Sequence, residues 1–499
     1  MHPPPPALRN RTTLLFLSLL FAAAFLVRIW GLSKFHYWDE MVYLQNALVI
    51  CCGRTNYSEL DFRPPLLSLF FAGVFLLWRH IYAACITTAL LNALGPVFLF
   101  FAGRRSVGRL PAALAAILLA FAPFFLGIFP ASFASDDTGN SLLTDSPALT
   151  LVLLSFWLLL RALDRPTATR FFSAGFALAL CTLMRFGSIP SVGMLLLLPL
   201  FSPARWKALP ACIAGIAAAL APYLLWSRHT YGGFLSTLQA GWRNVEGPVQ
   251  PFLFFLQNAA TIFTPLAIAG LLLSLLHDIY LLRRRPPANP ATPPPTATAT
   301  PGWIKPYLWL WLALGLLFFS SMPHKEPRYI MPLAAPVLLL AGSGLSLFTR
   351  LPAKALRTAA ALCLGLLLFV TFLPLRSRLS DPFLDPGVPE EELAGARLQS
   401  NLPAATTLYM SFNYPAWAYY TSFRIHELSS VGPELYRDLT QIPPGQVLIV
   451  YREAEDKSQS DLARVDANST FTRIAEYPSF VIYRAKLPSP PQPGANALP

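Results

Sequence analysis

Two adjacent carboxylates, Asp39 and Glu40, sit in the run Lys34-Phe35-His36-Tyr37-Trp38-Asp39-Glu40-Met41-Val42-Tyr43, just after a long apolar segment. Ionisable groups this close to hydrocarbon are costly, so an acidic pair there marks a candidate site. Asp145 opens another apolar segment, and Arg63, Arg185, Lys325 and Arg328 stand near segment ends. A carboxylate at a membrane boundary with cations nearby suits transfer of a group from a lipid-linked phosphate to a hydroxyl. The reactive carbon of a polyprenyl-phosphate sugar lies beside an anionic phosphate at headgroup level. Departure of that phosphate needs positive neighbours, and the planar fork of arginine matches phosphate oxygens. The acceptor hydroxyl needs a base, for which a carboxylate serves, typically contributing about 10²–10⁴-fold in rate.

The elements that must hold these residues are membrane spans. Of the 499 residues, 55% are hydrophobic and 13% charged, against about a quarter charged in an ordinary soluble chain; mean hydropathy is +0.49. Apolar runs recur from Thr13 to Leu375, many near the roughly 20 residues that cross a bilayer. The spacing predicts a polytopic α-helical protein with about eleven transmembrane helices, at 13–31, 82–102, 110–129, 146–163, 171–184, 187–201, 209–226, 255–281, 303–320, 330–348 and 356–374. Arg9, Arg11 and the run after them mimic a signal peptide, but the run continues to Trp30, which predicts an uncleaved first span.

Pro64 to Trp78 is the ambiguous segment, and basic clusters decide it. If it lies in the interface as a juxtamembrane helix and the N-terminus is cytoplasmic, five clusters fall inside: Arg104-Arg105/Arg109, Arg161/Arg165/Arg170, Arg205/Lys207, Arg283-Arg284-Arg285 and Arg350/Lys354/Arg357. If it spans, all five fall outside. The first arrangement brings the loops with Asp39-Glu40, Arg63, Asp145, Arg185 and His324–Tyr329 to one outer face, together with the soluble tail. The net charge of +13 therefore reads as topology signal, and no basic stripe with interleaved aromatics points to nucleic acid. The six cysteines suggest neither a disulfide framework nor a zinc site.

The predicted organisation is a catalytic transmembrane module at 1–282 that includes a first outer loop at 32–80, then a Pro/Ala/Thr-rich cytoplasmic linker at 283–302. A second transmembrane module follows at 303–375. The tail at 376–487 alternates strand-like runs (Thr406–Met410, Gln446–Tyr451, Phe480–Tyr483) with helical or loop-like stretches, predicting a small soluble α/β domain before a disordered end at 488–499.

Trp38-Asp39-Glu40-Met41-Val42-Tyr43 followed by Arg63-Pro64-Pro65-Leu66 resembles the first outer loop of the C-type (GT-C) glycosyltransferase superfamily, in particular the bacterial protein O-mannosyltransferase and lipid A aminoarabinose transferase group. Thr144-Asp145-Ser146-Pro147, the span from Gly175 to Leu183-Met184-Arg185-Phe186, and Lys325-Glu326-Pro327-Arg328-Tyr329-Ile330-Met331-Pro332 resemble later motifs of that group, in the same order. His324-Lys325-Glu326 is also similar to the His-Lys-Glu motif of dolichol-linked α-mannosyltransferases. The resemblance covers about residues 13–350. It implies a multi-pass protein of the bacterial inner membrane, working at its outer face on a polyprenyl-phosphate-linked sugar and a lipid, glycan or protein acceptor.

The resemblance implies Asp39 as general base; helix capping is its structural alternative. Glu40 shares that work, holds the acceptor, or forms a structural pair with a basic residue. Asp145 orients the acceptor or a first-loop residue, or caps the helix that begins before Pro147. Arg63, Arg185 and Arg328, with Lys325 more weakly, are the candidates for the donor phosphate. Asp136-Asp137 could suggest a metal pair, but Ser135, Thr138 and Gly139 around it fit an ordinary polar loop, so no metal or other cofactor is expected. The competing function is a transporter or flippase of lipid-linked sugars. Such proteins keep ionisable groups near the midplane and often carry inverted repeats; here most charges sit at span ends and no repeat is evident.

Overall fold

A backbone surrounded by hydrocarbon has only its own hydrogen-bonding groups as partners, so long apolar runs become helices. A computed structural model describes residues 6–30, 38–126, 142–243, 248–283, 302–350, 387–428, 439–452 and 456–487, with short pieces between 358 and 373. Helices α1 (Pro6–Ile29), α2 (Trp38–Cys52), α3 (Leu66–Phe75), α4 (Ile81–Ser106), α5 (Arg109–Phe121), α6 (Asp145–Asp164), α7 (Ala168–Met184) and α8 (Ile189–Leu196) come first. They are followed by α9 (Arg205–Tyr231), α10 (Ser236–Arg243), α11 (Phe254–Gln257), α12 (Ala259–Phe263), α13 (Pro265–Arg283), α14 (Ile304–Ser321) and α15 (Ala334–Leu345).

Among the described residues, seven stretches are long and apolar enough to cross a membrane: Arg11–Ile29, Ile81–Ser106, Asp145–Asp164, Arg205–Tyr231, Pro265–Arg283, Ile304–Ser321 and Pro327–Thr349. The chain is an integral membrane protein. The predicted spans at 110–129, 171–184 and 187–201 fall on shorter apolar helices, and the one at 356–374 lies largely outside the described residues, as do the linker, Asp136-Asp137 and the end at 488–499. Helix α3 has 10 residues, about 15 Å at 1.5 Å per residue, against a hydrocarbon core of roughly 30 Å.

The chain divides into two compact units. The first comprises Met1–Ser33, Leu60–Leu67 and Tyr82–Asp385; the second comprises Lys34–Glu59, Ser68–Ile81 and Pro386–Pro499. This differs from the division expected at the linker and from the expected grouping of the first outer loop with the membrane helices. The reason lies in packing. Helix α15, which follows the linker in sequence, is buried over eleven of its twelve residues and wedges between α5 and α13, which both precede it. A Cβ on Gly344 would stand 1.9 Å from the Gly270 carbonyl of α13, and one on Gly342 would stand 2.2 Å from the Pro111 carbonyl of α5.

Helices α7 and α9 cross in the same manner. A Cβ on Gly175 would lie 1.9 Å from the Cys212 carbonyl, and one on Gly215 would lie 2.1 Å from the Phe172 carbonyl. Small residues at such crossings let backbones approach closely where no hydrophobic effect drives helices together. Gly175→Ala should therefore force α7 from α9 and lower the thermal midpoint in detergent, at a cost of roughly 1–3 kcal/mol or more. Gly193→Ala, where a Cβ meets nothing within 4 Å, should leave the midpoint unchanged. Equal midpoints for the two variants would contradict the crossing.

The second unit carries a five-stranded sheet of order β2-β1-β3-β5-β4, with β1 at Thr407–Met410, β2 at Arg424–Glu427, β3 at Val447–Tyr451, β4 at Phe471–Glu476 and β5 at Phe480–Ala485. Strand β1 runs parallel to β2 and β3, whereas β5 is antiparallel to β3 and β4. The central strand β3 is buried at every residue, as its continuous apolar run Val-Leu-Ile-Val-Tyr requires. Helices α16 (Glu390–Asn401), α17 (Tyr414–Tyr420) and α18 (Asp456–Ala467) accompany the sheet.

Helix α2 packs on α17. Arg54 and Asn56, just past α2, donate to the carbonyls of Ala418 and Thr421, which end α17; a cation there also suits the helix dipole. Gly53, at φ +66°, supplies the left-handed turn that stops α2. Cys51 and Cys52 are joined in a disulfide, which the cysteine spacing did not suggest but which is no framework. A bond between chain neighbours ties no distant segments together, so spacing of the framework kind gives no sign of it.

Candidate active site

Four of the predicted residues come together within the first unit, on the segments that begin α6, end α7 and precede α15. Helix α7 ends at Arg185, whose backbone is extended (φ −156°, ψ 121°) while its N–H still reaches the Cys181 carbonyl. Its Nη1 donates to Asp145 Oδ2 at 2.8 Å and to Thr144 Oγ1 at 3.3 Å, at the start of α6. The two side chains are 18% and 4% exposed, so the ion pair is largely desolvated. Asp145 is thus the partner of Arg185 and not the side-chain cap of α6; Thr144 stands at the capping position.

The guanidinium of Arg185 also lies over the Tyr329 ring, 5.6 Å from its centroid, an arrangement that adds cation–π attraction. Tyr329 belongs to the 3-10 turn Pro327–Leu333, which a proline at its start pre-shapes. Glu326, just before the turn, gathers the neighbours. Its Oε2 accepts from Arg328 Nε, and its Oε1 faces His324 Nε2 at 3.1 Å and accepts from the Tyr329 hydroxyl at 3.3 Å. Burial pushes the Glu326 carboxyl up, but Arg328, His324 and Arg185 outweigh it and hold it below the usual carboxylate range. The carboxylate therefore remains ionised at neutral pH. Its contribution to stability is present above the ordinary carboxylate range and disappears as pH falls through the lowered value.

Lys325 sits differently. It is 4% exposed, and its ammonium donates to the backbone carbonyls of Gln250 and Met322. His324 Nδ1 lies 3.3 Å from the Pro248 carbonyl, Gln250 N–H donates to the Pro323 carbonyl, and Val249 forms a β-bridge with His324. Lys325 thus ties the segment 248–250 to 322–325. Arg63 lies over the ring of its neighbour Phe62, 5.1 Å from the centroid. Gly241 connects this stretch to the end of α7: a Cβ there would stand 2.7 Å from the Phe62 carbonyl and 3.3 Å from the Phe186 ring. Arg63 and Arg185 are the respective chain neighbours of those two residues.

Asp39 and Glu40 belong to the second unit. Both occupy the first turn of α2, where the helix dipole favours carboxylates. Asp39 is half-buried and Glu40 is 2% exposed. The middle of the helix presents Gln45 and Asn46, both buried. Gln45 Nε2 donates to Asn56 Oδ1 at 2.9 Å, and Asn46 Oδ1 accepts the Glu59 backbone N–H at 3.0 Å.

In the first unit, two arginines and one lysine stand against two carboxylates, a positive excess suited to an anion. Glu326 and Tyr329 were not among the predicted site residues, although both lie within a motif that the sequence singles out. Their signal is the spacing Glu-x-Arg-Tyr, which a turn folds back on itself.

Solved structures of similar fold exist. ArnT from Cupriavidus metallidurans bound to undecaprenyl phosphate superposes with a TM-score of 0.62 over 95% of this chain and 98% of that one, at 15% sequence identity; its apo state gives 0.63 at 14% identity with the same coverage. The fold is the GT-C one. The oligosaccharyltransferase of Archaeoglobus fulgidus in its apo form gives 0.53 at 13% identity over 82% of this chain, which spans 64% of that protein's length. Residues 62–229 match the model of the dolichyl-phosphate-mannose-protein mannosyltransferase family, a stretch that contains Arg63, Asp145 and Arg185. A search of curated proteins finds no significant sequence match.

Proposed function

We propose that this GT-C-fold protein is a membrane glycosyltransferase that moves a sugar from a polyprenyl-phosphate donor to a hydroxyl on a lipid, glycan or protein acceptor. The observation that carries this reading is the gathering of Arg185 and Arg328, each held by its own carboxylate, with Lys325 as the one cation in excess, in a fold shared with an ArnT structure that holds undecaprenyl phosphate. Arg185 and Arg328, with Arg63, take the donor phosphate. Asp145 and Glu326 hold the first two guanidinium groups in place and limit the cost of collecting like charges. Lys325 supports the loop beneath them.

In the reaction the acceptor oxygen attacks the anomeric carbon, the bond from that carbon to the phosphate oxygen breaks, and the hydroxyl proton passes to the Asp39 carboxylate. Polyprenyl phosphate departs with its charge already balanced by arginine, so the leaving side needs no acid. No metal or cofactor is assigned a role. The proposed setting is a bacterial inner membrane with eleven crossings and with the chemistry and the α/β tail on the outer side, which the positions of the basic clusters support.

Mass spectrometry of glycolipids, surface glycans and glycoproteins from cells with and without the gene tests the proposal. One fraction should lose a species by the mass of a single sugar when the gene is removed. Identical profiles in all three fractions, with the donor present, would refute the enzyme reading.

A further inference from the structure

We infer that Glu59 is a positioning residue for Asp39, acting through Trp38, and that the C-terminal sheet domain completes the clamp; the inference rests on the proposed role of Asp39 as base. Glu59 is 5% exposed, and a carboxylate so buried needs partners. Its Oε1 accepts from Trp38 Nε1 at 3.3 Å and also from the Tyr57 hydroxyl, while its backbone N–H is held by Asn46 of α2. One residue thus grips α2 at its first residue and again two turns later.

Trp38 is gripped from its other side as well. Its ring stands edge-on to Tyr414 of α17 with centroids 4.0 Å apart, and 5.8 Å from Phe412. Tyr57 meets the same Tyr414 ring at 5.1 Å. Tyr414 in turn donates its hydroxyl to Glu427 of β2 at 2.7 Å. Burial, Glu59 and the nearby acids push the Tyr57 hydroxyl well above the ordinary tyrosine range, so it remains a donor throughout the working pH range.

The first turn of a helix frays readily because its N–H groups have no partners within the helix. A bulky ring pinned at the first position, with its N–H committed to a buried carboxylate, fixes both the rotation of that turn and the direction of the next side chain, Asp39. Misplacing a catalytic group by about 1 Å can cost on the order of 10²-fold in rate.

The test uses the full-length protein in detergent or nanodiscs with a polyprenyl-phosphate sugar donor. Trp38→Phe keeps an aromatic ring, a smaller one, but removes the N–H; Glu59→Ala removes the acceptor. Each should lower kcat by roughly 10- to 100-fold with the KM for donor changed less than about 2-fold. The double variant should be no worse than Glu59→Ala alone, because Glu59→Ala already deletes the bond that Trp38→Phe removes. Glu59→Gln keeps an acceptor oxygen and should return kcat to within about 3-fold of wild type, a rescue that loss of bulk packing alone would not predict. Wild-type kcat in Trp38→Phe, or losses that multiply in the double variant, would overturn the inference. If Glu59→Ala fails to assemble, Trp38→Phe decides alone. Asp39→Asn in the same assay separates the two ideas. Full activity there sinks the base assignment and this inference with it, whereas an inactive Asp39→Asn beside an unimpaired Trp38→Phe sinks the inference only.

Discussion

Arg185→Ala should lose both donor affinity and thermal stability, and a second substitution should separate the two. The variant leaves the buried Asp145 carboxylate without the guanidinium that faces it at 2.8 Å. Removing one partner of a buried pair typically costs about 3–5 kcal/mol, because a charge is left behind in a poor solvent. Neutralising that charge in Asp145→Asn/Arg185→Ala should recover most of the thermal midpoint. Binding of polyprenyl phosphate should stay lost, since the neutral pair offers no cation. Arg185→Lys should retain charge and part of the stability but not the affinity, because an ammonium reproduces neither the fork nor the stacking on Tyr329. Recovery of binding in the double variant would mean that Arg185 serves only to balance Asp145.

Asp39→Asn should reduce sugar transfer by roughly 10²–10⁴-fold, the usual contribution of a positioned general base. Donor affinity and thermal midpoint should stay close to wild type, because losing one first-turn carboxylate typically costs only about 0.3–1 kcal/mol and Glu40 remains in the same turn. A variant with full turnover would move the base role elsewhere, with Glu40→Gln the next substitution to measure.

Much of the site was legible in the sequence because its residues flank apolar runs whose ends are sharply marked by proline and charge. Asp145 before Pro147, Arg185 after Leu183-Met184 and Arg328 after Pro327 are of this kind. The partners of those residues were not legible. That Asp145 would hold Arg185 and not cap α6 depends on where two helices end relative to each other. Glu326 becomes the hub because a 3-10 turn places Arg328 and Tyr329 against it, and no periodicity announces a turn of that type. Lys325 stood as the weaker phosphate candidate of its motif, whereas in the fold its buried ammonium donates to two carbonyls, one of its own loop and one of a neighbouring loop.

The strands divide in a similar way. β1, β3 and β5 correspond to β-branched or aromatic runs that can be read directly. β2, with Arg424-Ile425-His426-Glu427, and β4, with Arg473 and Glu476, form the two edges of the sheet. Charged edge strands are the ordinary defence against edge-to-edge association, and they dilute the strand signal. The membership of α2 was hidden for another reason. The hydrogen bond from Arg54 to Thr421 joins residues 367 positions apart, a separation that local pattern cannot reveal.

That separation also sets an order of events during synthesis. At roughly 5–20 residues per second a ribosome needs about 20–70 s to travel from Arg54 to Thr421. Throughout that interval α2 exists without α17, Tyr414 or the sheet. Its buried polar residues Glu40, Gln45 and Asn46 must wait at the membrane while most of the later helices are inserted. Helix α2 is among the first pieces to be made and among the last to be finished. A nascent chain halted before Tyr414 would carry the cation cluster of the first unit and the acidic pair of α2, yet lack the aromatic ring against which Trp38 comes to rest.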